Sequence, residues 1–438
     1  MGLENPNHGF EGGQMKRSAS NSASASGAKA LQVSATLVRG ALVTALVLGG
    51  GTAWGRGRPP PPASPDIVYM SSTSNAPARP AIRGVAVTIT GDTVSSTDTQ
   101  LAKALAGRDW TSIAWSPDGS RFAWIEGQAE ATRKIMWARL GSAPTVLYQP
   151  NDVSDAYVWG GSDGLAWGSD ACSGDGGSIL IFARAAKWDA TTQQYTEQPA
   201  IMGIDIDPAS PDSTPGHGSP RLILLASYPN GFALSPTGDH LAFNAGYGTN
   251  ERVSLLPMCG SSPTSTTLLT WDDFRAARYP YACYDDPGTI CPCGGNAETV
   301  CFNYPSPAVH SIDWSGDARR LVLSVTVGPD PAYDWRDLRV AHLEWNEADQ
   351  TFAKTSVVDV QLDSFFGSAS SEHYPQWGPS AQDNDCERLA FSQSAGASDG
   401  STMSGRRLYL YDLVTSNTAC FGGPREMSAR NPRAIDWK

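Results

Sequence analysis

Gly160-Gly161-Ser162-Asp163-Gly164 holds the G-x-S-x-G spacing of a serine nucleophile on a strand-to-helix elbow. An elbow needs a helix after the serine and an acid and a histidine downstream. Here an apolar segment, Leu165-Ala166-Trp167, follows as the second strand of a hairpin, so Ser162 reads as a turn residue. The six histidines, His8, His217, His240, His310, His342 and His373, form no H-x-H or H-x-x-x-H pair, and most read as rim or turn residues rather than a local metal site. Asp205-Ile206-Asp207 with Asp212 invites calcium but lacks the glycine and closing glutamate of a known calcium loop; a solvated, proline-containing insertion is the plainer reading. Cys283, Cys291, Cys293 and Cys301 crowd one stretch without a C-x-x-C pair or an interleaved histidine, which points to disulfides ahead of metal. No catalytic residue, metal ligand or cofactor is assigned from these patterns.

The elements that would carry any site come from a repeated phrase. Ile113-Ala114-Trp115-Ser116-Pro117-Asp118-Gly119-Ser120-Arg121-Phe122-Ala123-Trp124 is an alternating strand, a tight turn and a returning strand. Variants occur at Tyr157–Trp167, Gly231–Phe243, Ser311–Leu323 and, with a longer turn, from Tyr374 to Phe391. A last fragment, Ala434-Ile435-Asp436-Trp437, stops where its turn would begin. A hairpin repeated at long intervals predicts an all-β chain, a β-propeller in which each copy starts one blade. The anchors Trp115, Trp159, Leu234, Trp314, Trp377 and Trp437 count six blades, spaced 44, 75, 80, 63 and 60 residues apart; the two long gaps leave room for a seventh. Asp66-Ile67-Val68-Tyr69-Met70-Ser71-Ser72 looks like a second strand lacking its first. Pairing it with the C-terminal fragment would complete one blade and close the ring, removing exposed sheet edges.

Trp115-Ser116-Pro117-Asp118-Gly119 and Leu234-Ser235-Pro236-Thr237-Gly238, with the closing Leu241-Ala242-Phe243 and Leu389-Ala390-Phe391, resemble the WD40-like repeats of TolB-type propellers. The resemblance covers most of residues 66–438 and implies the propeller fold. TolB carries an α/β domain ahead of its propeller, whereas strands here begin soon after the leader, so TolB's role in outer-membrane maintenance does not transfer.

Within a propeller, the position just before each anchor is Ala114, Val158 and Ala233 in three copies and Asp313, Gln376 and Asp436 in the other three. Ring closure makes the last three blades neighbours, so two carboxylates and an amide converge on one side of the channel. They would hold a cation, a water cluster or a basic ligand group, or instead bond backbone N–H groups and lock adjacent blades. The second candidate is the insertion 271–304, which holds Trp271, Tyr281 and Tyr284 along with the crowded cysteines. Aromatics on a stiffened loop make a recognition surface or the loop's own small core.

Residues 1–30 lack periodicity and read as disordered. Lys29 and Arg39 ahead of Ala41–Leu48, then small residues through Gly55, read as a secretory signal peptide, with an uncleaved anchor as the alternative. The leader (1–55) is followed by a proline-rich linker (56–65) and the propeller (66–438). Removing residues 1–55 takes Lys16, Arg17, Lys29 and Arg39 from 32 basic groups and Glu4 and Glu11 from 44 acidic ones, leaving 28 against 42, a balance of −14. An acidic mature chain without a basic cluster argues against nucleic acid and anionic membrane. Eight cysteines suit an oxidising compartment, periplasmic or extracellular in a bacterium. The expectation is a monomeric, non-catalytic propeller, without a membrane span in the mature chain, that binds a protein or peptide through one face and its inserts. The rival is an enzyme of polysaccharide or peptide turnover working at the channel mouth.

Overall fold

A computed structural model describes residues 65–71, 80–90, 93–103, 110–127, 133–150, 164–172, 177–189, 191–207, 220–226, 229, 231–245, 251–260, 264–274, 282–286, 289–292, 302–303, 309–326, 336–347, 351–366, 370–378, 386–395, 405–413, 420 and 423–437. The leader, almost all of the linker, Trp159 and Tyr281 lie outside the described residues.

The turn phrase folds for a local reason. Ser116 N–H donates to Arg121 O (2.9 Å) and Gly119 N–H to Ser116 O (2.8 Å), while Ser116 Oγ accepts from Arg121 N–H (2.9 Å). Asp118 takes the Ser116 and Ser120 hydroxyls at 2.5 and 2.7 Å, and these bonds hold its carboxyl below the usual range although burial pushes it up. Ser315 and Asp317 repeat the arrangement, and Ser235 with Asp239 gives a variant in which the acid is displaced by two positions. The third turn residue needs a left-handed backbone, with φ of 64° at Gly119, 76° at Gly238 and 55° at Ala318.

These hairpins start six four-stranded antiparallel sheets. Blade 1 joins the inner strand Pro432–Trp437 to Ile67–Ser71, Ala81–Thr90 and Thr93–Lys103. Blade 2 runs Trp110–Trp115, Arg121–Glu126, Lys134–Arg139, Thr145–Tyr148. Blade 3 is Leu165–Ser169, Ser178–Arg184, Ala200–Ile206, Arg221–Leu225, and blade 4 is Phe232–Leu234, His240–Ala245, Arg252–Pro257, Thr266–Thr270. Blade 5 is Val309–Trp314, Arg320–Thr326, Arg336–Asn346, Thr351–Asp359, and blade 6 is Ser370–Trp377, Arg388–Ala395, Arg407–Asp412, Arg425–Ser428. The chain's last strand pairs with its first described one, Val68 facing Asp436 and Tyr69 facing Ile435, so the ring closes as the sequence predicts.

The core lies between blades rather than within them. Val68, Trp115, Trp124 and Ala434 pack blade 1 on blade 2, and Ala123, Trp137, Leu180 and Phe182 pack blade 2 on blade 3. Ile181 and Phe243 join blades 3 and 4; Val253, Leu255, Trp314 and Leu323 join blades 4 and 5. Val322 and Leu389 join blades 5 and 6, and Tyr69, Ile435, Ala390 and Leu410 join blade 6 to blade 1. Each apolar face is thus covered by its neighbour all round the ring.

One element differs from its expected place. Leu165-Ala166-Trp167 is not a returning strand but the inner strand of blade 3, with Leu165 opposite Phe182 and Trp167 opposite Leu180. The hairpin turn here is stretched over Asp170–Gly177, while Ser162-Asp163-Gly164 imitates a turn one strand too early; the anchor of this copy is Trp167. The long gaps hold extra elements, a hairpin of Lys187–Asp189 with Gln194–Glu197 and a three-stranded sheet in the insertion, beside the six blades.

Candidate functional site

Six inner strands line the axis, and the residue before each anchor becomes Ala114, Ala166, Ala233, Asp313, Gln376 and Asp436 around the ring. Five of these, all but Ala114, line an axial cavity with about 80 Å³ of space open to water, together with Ile113, Leu165, Phe232, Ile312 and Ile435. The alanines come from blades 2 to 4 and the polar groups from blades 5, 6 and 1. One wall is therefore apolar and the other polar.

Both carboxylates make the inter-blade bonds that were one of the two readings. Asp313 Oδ2 accepts Trp377 N–H of blade 6 at 2.6 Å, and Asp436 Oδ2 accepts Trp115 N–H of blade 2 at 2.5 Å. Each acid one position before an anchor thereby ties down the anchor of the next blade. Burial pushes the Asp436 carboxyl up to about 7, against the backbone N–H bonds from Trp115 and Trp437 that pull it down. Asp436 still borders the cavity, where its remaining exposure lies.

A third clamp escaped the sequence reading. Glu251, 5% exposed at the start of a blade 4 strand, accepts Val309 N–H of blade 5 at 2.6 Å and Asn244 Nδ2 at 2.9 Å. Burial raises its carboxyl to about 7 despite those two bonds. His373 also departs from expectation. It is fully buried on the inner strand of blade 6 rather than at the rim, with Ser394 Oγ 3.4 Å from Nε2. Burial, then Arg336, Arg406 and His310, hold its imidazole well below the usual range, hence neutral. The signal was Ser371-Glu372-His373-Tyr374, which continues the inner strand upstream through a bulge where Tyr374 takes φ 52°.

Strand alternation gives the ring two unlike ends. One end carries the hairpin turns, and two disulfides lie there: Cys172–Cys259 ties the turns of blades 3 and 4, and Cys386–Cys420 ties two turns of blade 6. The first pairing joins neighbouring blades, and the second stays within one. The cluster Cys386, Asp412, Cys420 offers a metal nothing, because both sulfurs are spent in that disulfide. The other end carries the starts of the inner strands and the long connections between blades, among them 271–308. Trp271 opens a short helix, Trp271–Phe274, directly after blade 4. Tyr284 lies opposite Ile290 and Cys283 opposite Cys291 in the insertion's own sheet, Ala282–Asp286 with Thr289–Pro292 and Phe302–Asn303. The axial trio and the insertion are thus separate places. Of the acidic run, Asp205 is on a blade 3 strand in an exposed ion pair with Arg221 at 3.1 Å, and Asp212 lies outside the described residues. Ser162 also lies outside them; Gly164 N–H donates to Ser112 Oγ and a strand follows, not a helix. Among the described residues, no helix is long and apolar enough to cross a membrane.

No protein-family model matches the chain, and no curated sequence does. Solved structures similar to it include TolB from Acinetobacter baumannii, at 10% identity and a TM-score of 0.45, covering 85% of this chain and 66% of TolB. A putative TolB from Agrobacterium tumefaciens aligns at 13% identity and 0.42, over 75% of this chain and 83% of that one. A chain of the nidogen/laminin complex aligns at 10% and 0.41, over 84% and 97%. This chain spans just under two thirds of the Acinetobacter TolB. The chain's own strand pairings carry the fold assignment: it is a six-bladed β-propeller closed by its first and last strands.

Proposed function

We propose that the protein is an exported, non-catalytic propeller that binds a protein or peptide partner at the end of the ring bearing the long connections and the 271–304 insertion. The observation that carries this reading is the asymmetry of the two ends. Disulfides tie turns together at one end, while the other carries the long connections between blades, among them the one that opens on the Trp271 helix and holds Tyr284 in a small sheet of its own. Rigid scaffolds with variable loops at one end are suited to recognition. The state of the axial carboxylates supports a binder over an acid–base enzyme, since each accepts a backbone N–H of the next blade. Disulfides within the ring are compatible with an oxidising, periplasmic or extracellular setting.

The test is site-specific photo-crosslinking in the producing cell. A crosslinker at Tyr284 is expected to trap a defined partner, whereas one at Thr237 in a hairpin turn is not. Deletion of residues 275–304 should abolish capture while leaving the melting transition in place. Capture from the turn end alone would refute the reading.

A further inference from the structure

The axial cavity leaves one polar side chain open to a ligand. Gln376 is 9% exposed and lines the cavity, yet its side-chain amide has no hydrogen-bond partner among the described residues. Its amide atoms are not sealed from solvent, so water or a ligand in the cavity can reach them. Asp313 and Asp436 border the same space from the flanking blades, and none of the described lining residues is basic. A carboxylate has about four lone-pair sites, so Asp436, which accepts the Trp115 and Trp437 N–H groups, keeps capacity for another donor. The upward push on Asp436 is what a carboxyl experiences when burial is not balanced by a cation.

The opposite wall narrows the ligand. A hard metal ion collects six to eight oxygens around itself, but Leu165, Ala166, Phe232 and Ala233 offer no side-chain oxygen. An alkylammonium suits both walls, because its methylenes bury against apolar surface while its head takes the acceptors. The head has three N–H donors, and the polar wall presents three acceptor residues on successive blades. About 80 Å³ of water-accessible space is several times what one water needs, which is about 10–15 Å³ on the same measure.

We propose that the axial cavity binds a primary ammonium, either a lysine side chain or a small alkylamine, with its stem along the Leu165–Ala166–Ala233 wall and its N–H groups on Asp313, Asp436 and the Gln376 carbonyl. This deepens the binding reading above but is tested on the cavity alone. The full chain is titrated with n-butylammonium, with Nα-acetyl-lysine methylamide and with its neutral counterpart Nα-acetyl-norleucine methylamide, following tryptophan emission from Trp167 and heat release. Both amines are expected to bind, and the norleucine compound at least about tenfold more weakly. Binding of butylammonium without the lysine derivative identifies free amines as the source; binding of the lysine derivative identifies a partner's lysine. Gln376→Leu should weaken the amines about tenfold, and Gln376→Glu should tighten them. Equal binding of lysine and norleucine compounds, no binding of either amine up to about 10 mM, or a response to calcium alone overturns the proposal. Those results leave the crosslinking test of the loop end standing.

Discussion

Asp436→Asn separates the two things this residue does in the ring. The carboxylate accepts Trp115 N–H across the seam between blades 1 and 2, and it is buried at the cost of a carboxyl raised from 3.8 to about 7. Because the folded value exceeds the unfolded one, the folded state holds the proton more tightly. Stability from this group is present below about pH 4 and is lost as pH rises towards 7, by about 1.4 kcal/mol per pH unit. Three pH units give an upper bound of about 4 kcal/mol at pH 8, and contact with cavity water lowers this to about 2–4 kcal/mol. An asparagine oxygen still accepts the Trp115 N–H without carrying a charge. Asp436→Asn should therefore stabilise the protein by about 2 kcal/mol or more at pH 8 and change little at pH 4. Asp436→Ala should cost about 1–3 kcal/mol at pH 4, where it orphans the Trp115 N–H. Urea unfolding at both pH values, followed by tryptophan emission, measures each. If the asparagine and alanine variants lose the same stability at both pH values, the clamp and its burial have been misread.

Glu251→Gln should behave similarly, gaining stability relative to the parent as pH rises from 5 to 8, because Glu251 is also raised to about 7 while accepting two donors; pH-dependent melting checks the slope. Ala318→Gly should stabilise by about 0.5–1 kcal/mol, since alanine at φ 55° costs about 1–2 kcal/mol and glycine returns part of that in unfolded-chain entropy; denaturant midpoints at constant slope decide it. Reduction of Cys172–Cys259, which spans 87 residues, should cost about 4–5 kcal/mol, and of Cys386–Cys420, spanning 34, about 4 kcal/mol; serine pairs at each site, compared by urea unfolding, test this.

Most of the ring was legible because each level of the sequence agreed. Ser116, Asp118 and Gly119 specify a turn, Ile113, Trp115, Phe122 and Trp124 alternate on its strands, and Ile435–Trp437 lacks the partner that Ile67–Ser71 supplies. Blade 3 was misaligned because Ser162-Asp163-Gly164 has turn chemistry but no hairpin, whereas the true turn, Asp170–Gly177, is stretched. The axial trio was legible from position relative to the anchors. Glu251 and His373 were not, because both lie just outside the repeated phrase: Glu251 precedes its strand and is tied to blade 5, and His373 sits on the part of the inner strand upstream of the bulge. Cys172 and Cys259 could not be paired in advance, since only the ring brings the turns of blades 3 and 4 together.

Native-state hydrogen exchange at the closing seam tests the architecture most directly. With Pro432–Trp437 bonded to Ile67–Ser71, and those to Ala81–Thr90, the amides of Val68, Tyr69 and Met70 should exchange only through global unfolding, and removing residues 432–438 should release those that donate to the lost strand. Rapid exchange of Tyr69 and Ile435 in the intact chain, or undiminished protection of all three amides after the truncation, would contradict a ring closed by its two ends.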